Sequence, residues 1–253
     1  MNYRDPKFLF GAGVLGVFAL LALTDKPAAL LFNPGPAPGP DPGPGPAGEL
    51  PGGPLPSATT GLTSRLSNLF FQRVNELAAY MRSRGSNITG EDILAVLVPE
   101  SGVDPARPNS IRCLGLNQIC PKLVPAKDPE RVSGLRAVGF QGSQAEYLAL
   151  PAEEQLRYVK AYFDNVNRYP AFRDYGTLYL ANFSPAFLGK PDNFVMYPKS
   201  HPSYPGNAGV DTGNKGYIEV ADMAKFVKRT LLSRKQFWDE LRMRLQQAPQ
   251  AVA

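Results

Sequence analysis

Residues 33–56 read NPGPAPGPDPGPGPAGELPGGPLP, in which ten positions are proline and seven are glycine. Proline has no amide hydrogen to donate and clashes with the preceding helical turn, so neither a helix nor a central strand can form there. Glycine does not recur at every third position, which excludes a collagen triple helix. The tract holds too little apolar surface to fold. It is expected to act as a semi-rigid spacer reaching at most about 3.1 Å per residue, or roughly 75 Å. The 253-residue chain is thereby divided into a short N-terminal piece and a C-terminal part that must build its own core. With 43% hydrophobic and 19% charged residues overall, that core is attainable and wholesale disorder is excluded.

Ahead of the spacer, residues 8–23 form an uncharged apolar run of sixteen, bounded by Arg4 and Lys7 on one side and Asp25 and Lys26 on the other. Sixteen helical residues span roughly 24 Å, slightly short of a hydrocarbon core of about 30 Å. A snorkelling Lys7 and the flanking residues extend the span, and Gly11, Gly13 and Gly16 suit a membrane helix better than a soluble one. A cleaved signal peptide is the rival, but Ala22-Leu23-Thr24 is a mediocre cleavage site. A buried core helix would be cut off from any core by the spacer. The favoured expectation is a retained anchor over residues 7–24 in a lipid bilayer, with residues 1–6 inside and everything after it outside the cytoplasm.

The net charge is +5. That suits an acidic polymer, but no dense Lys/Arg cluster with interleaved aromatics occurs, so a nucleic-acid partner is not expected. The chain has one histidine, His201, and two cysteines, Cys113 and Cys120. A zinc site would lack ligands, and neither a metal nor a cofactor is expected. A catalytic triad would need His201, which stands in a proline-rich loop, and a Cys120–His201 thiol hydrolase is a minor alternative. In a straight helix seven residues span about 10.5 Å, too far for a disulfide, whereas a turn would let Cys113 and Cys120 close; the spacing leaves both open. Asp211-Thr-Gly-Asn-Lys-Gly216, with Ile218 and Asp222, has the outline of a calcium loop, but Gly213 and Lys215 occupy donor places. A plain turn is the better expectation.

From Leu62 onward the periodicity is helical. Leu62, Leu66, Leu69, Phe70, Val74, Leu77 and Met81 recur three and four apart, and Gly85 supplies a stop. Thr89-Gly-Glu-Asp92 reads as a capping box opening a helix over 91–98. Further helices are predicted over 152–163, 177–183 and 220–232, and a charged amphipathic helix over 235–247. Strand alternation is scarce, so the fold class is mainly α. The predicted organisation is a tail (1–6), an anchor (7–24), a linker (25–61), one folded domain (62–232) and a charged helical tail (233–253).

The apolar stretch Leu94-Ala-Val-Leu-Val-Pro-Glu100-Ser101-Gly102 ends on a carboxyl. A carboxyl at the end of an apolar helix is partly desolvated, which raises its pKa and fits it for general acid work. Gly115-Leu116-Asn117-Gln118 follows about fifteen residues later and leads into Ile119-Cys120-Pro121. Pro99 directly precedes Glu100 and predicts that the helix kinks or ends there.

These residues resemble the lysozyme-like lytic transglycosylases, in which an apolar helix ends in Glu-Ser and is followed by Gly-Leu-x-Gln and Ile-x-Pro. The resemblance continues through Glu154-Gln155-Leu156 with Tyr158-Val159 and Tyr162-Phe163, through Leu178-Tyr179 to Pro185, and through Tyr204-Pro-Gly-Asn207 with Asp211 and Gly216-Tyr-Ile218. It spans roughly residues 62–230. Asn117 departs from the usual apolar residue at its place. The resemblance implies a lysozyme-like (α+β) domain that cleaves the β-1,4 bond between N-acetylmuramic acid and N-acetylglucosamine in peptidoglycan glycan strands, leaving a 1,6-anhydromuramoyl end. Carried over, Glu100 is the acid and then the base, and Ser101, Gln118, Tyr179 and Asn182 hold the sugar or orient Glu100. The phage-like motifs imply wall opening during phage entry or exit, with virion or membrane assembly proteins as partners and a virion membrane or host inner membrane as the location. A two-carboxylate lysozyme mechanism would need a partner such as Asp104. A non-catalytic wall-binding or assembly protein is the alternative of a different class.

Overall fold

Ser67 opens the first helix of the described residues. Its Oγ accepts the Phe70 amide at 3.0 Å, so helix α1 runs Asn68–Ser83, starting later than the apolar periodicity alone predicts. The computed structural model describes residues 65–109, 113–120 and 134–249; the expected anchor at 7–24 and the linker at 25–61 lie outside them. No helix among the described residues is long and apolar enough to cross a membrane. Gly85 stands just past the end of α1 at φ +94°, the conformation that a helix stop requires.

Helix α2, Gly90–Ser101, begins with the capping box predicted from sequence: Thr89 Oγ1 accepts the Asp92 amide and Asp92 accepts the Thr89 amide at 2.8 Å. Every residue from Ile93 to Ser101 is buried, so α2 is the central rod of the molecule. The predicted break at Pro99 does not occur. The helix continues through the proline to Ser101, its whole last turn being buried in the core, where packing overrides local propensity. Gly102 then ends the helix in the left-handed region at φ +69°, its amide donating to the Val98 carbonyl at 3.0 Å.

The chain continues through α3 (Gly134–Ala137), α4 (Gln144–Leu148), α5 (Ala152–Val166), α6 (Tyr175–Phe183), α7 (Tyr204–Asn207), α8 (Asp222–Ser233) and α9 (Lys235–Gln247). Strands β1 (Val195–Pro198) and β2 (Tyr217–Glu219) pair antiparallel. The fold is mainly helical, as the periodicity predicts. Helices α1, α6, α8 and α9 all pack on α2. One apolar core, from Leu66 through Leu245, joins them.

The two strands, of four and three residues, are too short to display alternation in the sequence. One expectation is corrected. The helix expected as a tail after residue 232 belongs to the same body: Phe237, Leu241 and Leu245 are buried in the common core, and Arg242 Nε pairs with Glu91 at 3.0 Å. The Asp211 segment is a turn whose cation is internal. Asp211 accepts the amides of Gly213, Lys215 and Gly216, while Lys215 Nζ lies 2.8 Å from Glu219 and 2.9 Å from Asp222. The ammonium thus occupies the neighbourhood that a calcium ion would need.

Candidate active site

Glu100 sits in the last turn of α2 with only 4% of its surface exposed. One oxygen, Oε1, accepts the Asn182 side-chain amide at 2.9 Å. Asn182 comes from the C-terminal turn of α6, 82 residues away in sequence. That turn is fixed by Tyr162 of α5, whose hydroxyl donates to the carbonyls of Ala181 and Asn182 at 3.1 and 3.0 Å. Burial pushes the Glu100 carboxyl up to about 8, and the Asn182 amide, which favours the ionised form, offsets only part of this. At neutral pH Glu100 therefore holds its proton. The phenols of Tyr162 and Tyr179 are pushed far upward by burial and then by the nearby Glu100 charge.

The Gly-Leu-Asn-Gln segment faces this helix end as the tip of a tight hairpin. Leu114 and Ile119 bridge antiparallel, and Leu114 also bridges Pro108. Cys113 and Cys120 close the base of the hairpin as a disulfide with Cα atoms 3.9 Å apart, so the turn geometry, which the spacing had left open, is the one adopted. Ser101 Oγ donates to the Leu116 carbonyl at 2.9 Å, tying the end of α2 to the tip. Gln118, itself at φ +53°, donates through Nε2 to the carbonyls of Gly115 and Arg107 at 2.8 and 3.0 Å. Asn117 contacts Asn182: its carbonyl accepts Asn182 Nδ2 at 3.4 Å.

Of the five residues that the sequence singles out, Glu100 and Asn182 meet directly, and Ser101 and Gln118 hold the hairpin against them. Tyr179 is packed within the core, with its phenol near the Glu100 carboxyl. It is wholly buried, stacked on Phe183 with centroids 6.1 Å apart and tilted against Phe226. Gln155 of α5, not among the expected site residues, also belongs here. It is completely buried, accepts the Leu116 amide at 3.0 Å, and donates to the carbonyls of Pro105 and Tyr147 at 2.8 and 2.9 Å. Its signal was present: a polar residue inside the apolar face formed by Ala152, Leu156, Val159 and Phe163.

Three buried acceptors of these residues have no donor among the described residues: Glu100 Oε2, Asn117 Oδ1 and Gln118 Oε1. Buried acceptors normally find partners. Protonation of Glu100 on Oε2 turns one of them into a donor, in accord with its raised pKa. Asp104 is occupied locally, its Oδ1 accepting the Ala106 amide at 3.0 Å. It lines a cavity of about 270 Å³ with Arg65, Ser67, Pro151 and Glu153, and that cavity does not reach Glu100. His201 Nδ1 accepts the Ser203 amide at 3.1 Å, and Cys120 is bonded to Cys113, so the thiol-hydrolase alternative has no thiol.

No protein-family profile matches this chain, and no curated protein or solved structure matches it.

Proposed function

We propose that this protein is a membrane-anchored peptidoglycan lytic transglycosylase with a lysozyme-like domain, in which Glu100 is the acid and base. The observation that carries this reading is a carboxyl kept neutral at pH 7 by burial at the end of an apolar helix, held by one amide and faced by a glycine-bearing hairpin. A neutral carboxyl can donate to the glycosidic oxygen as the C–O bond breaks. The resulting carboxylate, steadied by Asn182, can then take the proton from the substrate's own C6 hydroxyl as that oxygen bonds to C1. Atoms balance, the carboxyl ends protonated, and a 1,6-anhydro end forms without water. One protein carboxyl suffices where the substrate supplies the second function, an exception to the two-carboxylate scheme. The anchor at 7–24, the spacer and a phage origin belong to the same proposal and rest on the sequence alone.

A second reading, a non-catalytic wall-binding or assembly protein, draws on the same burial, because Glu100 is nearly closed to solvent. Purified peptidoglycan incubated with the full-length chain, wild type and Glu100→Gln, separates the two. Release of 1,6-anhydromuropeptides by wild type alone is the expected result. Reducing ends would indicate lysozyme hydrolysis. Equal release by both proteins would remove Glu100 from the chemistry, and binding without cleavage would favour the second reading.

A further inference from the structure

Two arginines converge on the end of α2 from different elements. Arg107, in the loop after α2, donates through Nη1 to the Ser101 carbonyl at 3.3 Å. Arg234, at the junction of α8 and α9, donates through Nη1 to the Val98 carbonyl at 3.1 Å. A Cβ placed on Gly102 would lie 3.5 Å from Arg234 Nη1 and 3.6 Å from Arg107 Nη1, so the two guanidiniums approach one point. Neither pairs with a carboxylate among the described residues, whereas Arg73, Arg157 and Arg242 each do. Both are only half-buried. Burial and the facing Arg107 charge pull the Arg234 guanidinium below its ordinary range, which accords with two like charges drawn together.

The C-terminal dipole of α2 and the carbonyls of Val98 and Ser101 offset part of that repulsion. They occupy one nitrogen of each guanidinium, which carries five N–H donors, and leave the others open. Paired guanidiniums with spare donors are suited to an oxyanion, above all a carboxylate or phosphate taken through forked hydrogen bonds. The pair stands beyond Glu100 on the same helix end. Arg107 is also bonded through its carbonyl to Gln118 of the hairpin.

We propose that Arg107 and Arg234 form an anion site that takes a carboxylate of the peptide stem on the glycan strand being cleaved. The inference rests on the transglycosylase reading, since it is that reading which supplies a polymer bearing carboxylates beside the scissile bond. The site makes strands with stems better substrates than bare glycan, and it gives the enzyme a way to register where along a strand it binds.

The test is a titration of the full-length chain with a soluble disaccharide–tripeptide from peptidoglycan, with the same compound after its carboxylates are amidated, with the free tripeptide and with inorganic phosphate. Wild type is expected to bind the free-acid disaccharide about tenfold more tightly than the amidated form, a loss of about 1.4 kcal/mol. Arg107→Gln/Arg234→Gln is expected to bind the two alike, with its melting temperature read in parallel. Arg107→Lys/Arg234→Lys keeps both charges and is expected to retain a reduced preference; it decides the matter if the glutamine pair does not fold. Equal binding of the two disaccharides by wild type, or a preference that survives in a folded glutamine pair, would overturn the assignment. Phosphate displacing the free-acid disaccharide at equal concentration would transfer the site to a phosphate and overturn it too. If neither disaccharide binds, the transglycosylase reading fails instead, and the free tripeptide still reports on the arginine pair by itself.

Discussion

Held inside the fold, the Glu100 carboxyl ionises near 8, whereas in the unfolded chain it returns to 4.5. Below 4.5 both states are protonated and the group takes nothing from stability. Between these values the folded state keeps a proton that the unfolded chain releases, so stability falls as pH rises. Above 8 the loss is complete, on the order of 5 kcal/mol. Glu100→Gln removes the titration, so denaturant unfolding is expected to show the variant more stable than wild type at pH 8, with the gap closing toward pH 4. A variant whose advantage does not change with pH would mean that Glu100 is not held neutral. Asn182 supplies a second test of the same residue. Its amide lowers the Glu100 pKa, so Asn182→Ala is expected to move the alkaline limb of the cleavage profile upward while reducing the maximal rate about tenfold. A limb moving downward would contradict the role given to that amide.

The hairpin at 113–120 is built around Gly115, which combines φ +71° with tight surroundings: an added Cβ would lie 2.7 Å from Tyr147 Cε1 and would also strike the Gln155 amide. Gly115→Ala is therefore expected to cost roughly 2–4 kcal/mol, combining backbone strain with steric overlap, and to displace the Leu116 amide from Gln155. Thermal unfolding checks the first consequence; loss of cleavage beyond the loss of folded protein checks the second. Elements of this kind divide into what a sequence displays and what it conceals. The start of α2 was legible because Thr89 and Asp92 satisfy each other three residues apart. Glu100 and Gln118 were legible because motif and spacing lie within one short stretch. The bond from Asn182 was not, since it joins residues 82 apart and depends on how α6 crosses α2. The Cys113–Cys120 pairing was undecided for a related reason: seven residues are too many for a helix and right for a hairpin, and only the fold chooses. The continuation of α2 past Pro99 was not legible, because it depends on the burial of the surrounding turn, which tertiary packing supplies.

At the scale of the molecule, the charge pattern of α9 conceals its place. Residues 235–247 carry charge along most of their length, which gives the appearance of a solvated appendage. Yet Phe237, Leu241 and Leu245 form one stripe, and each is at most 5% exposed. Asn75 on α1 donates to the Leu245 carbonyl at 3.4 Å, and Arg244 donates to the Leu66 carbonyl at 2.7 Å. Burying three large apolar side chains is worth roughly 5–9 kcal/mol, comparable with the whole stability of an ordinary domain. A chain ending at residue 234 is thus expected to lose cooperative unfolding and near-ultraviolet dichroism. The intact chain offers a gentler measurement. Its single tryptophan, Trp238, lies on α9 and packs against the common core. If α9 were an appendage, tryptophan fluorescence would change at lower denaturant than far-ultraviolet dichroism, which reports all the helices. One cooperative body requires the two transitions to coincide. Coincidence is expected, because α9 shares the common core with α2 and is paired to its first turn through Arg242 and Glu91.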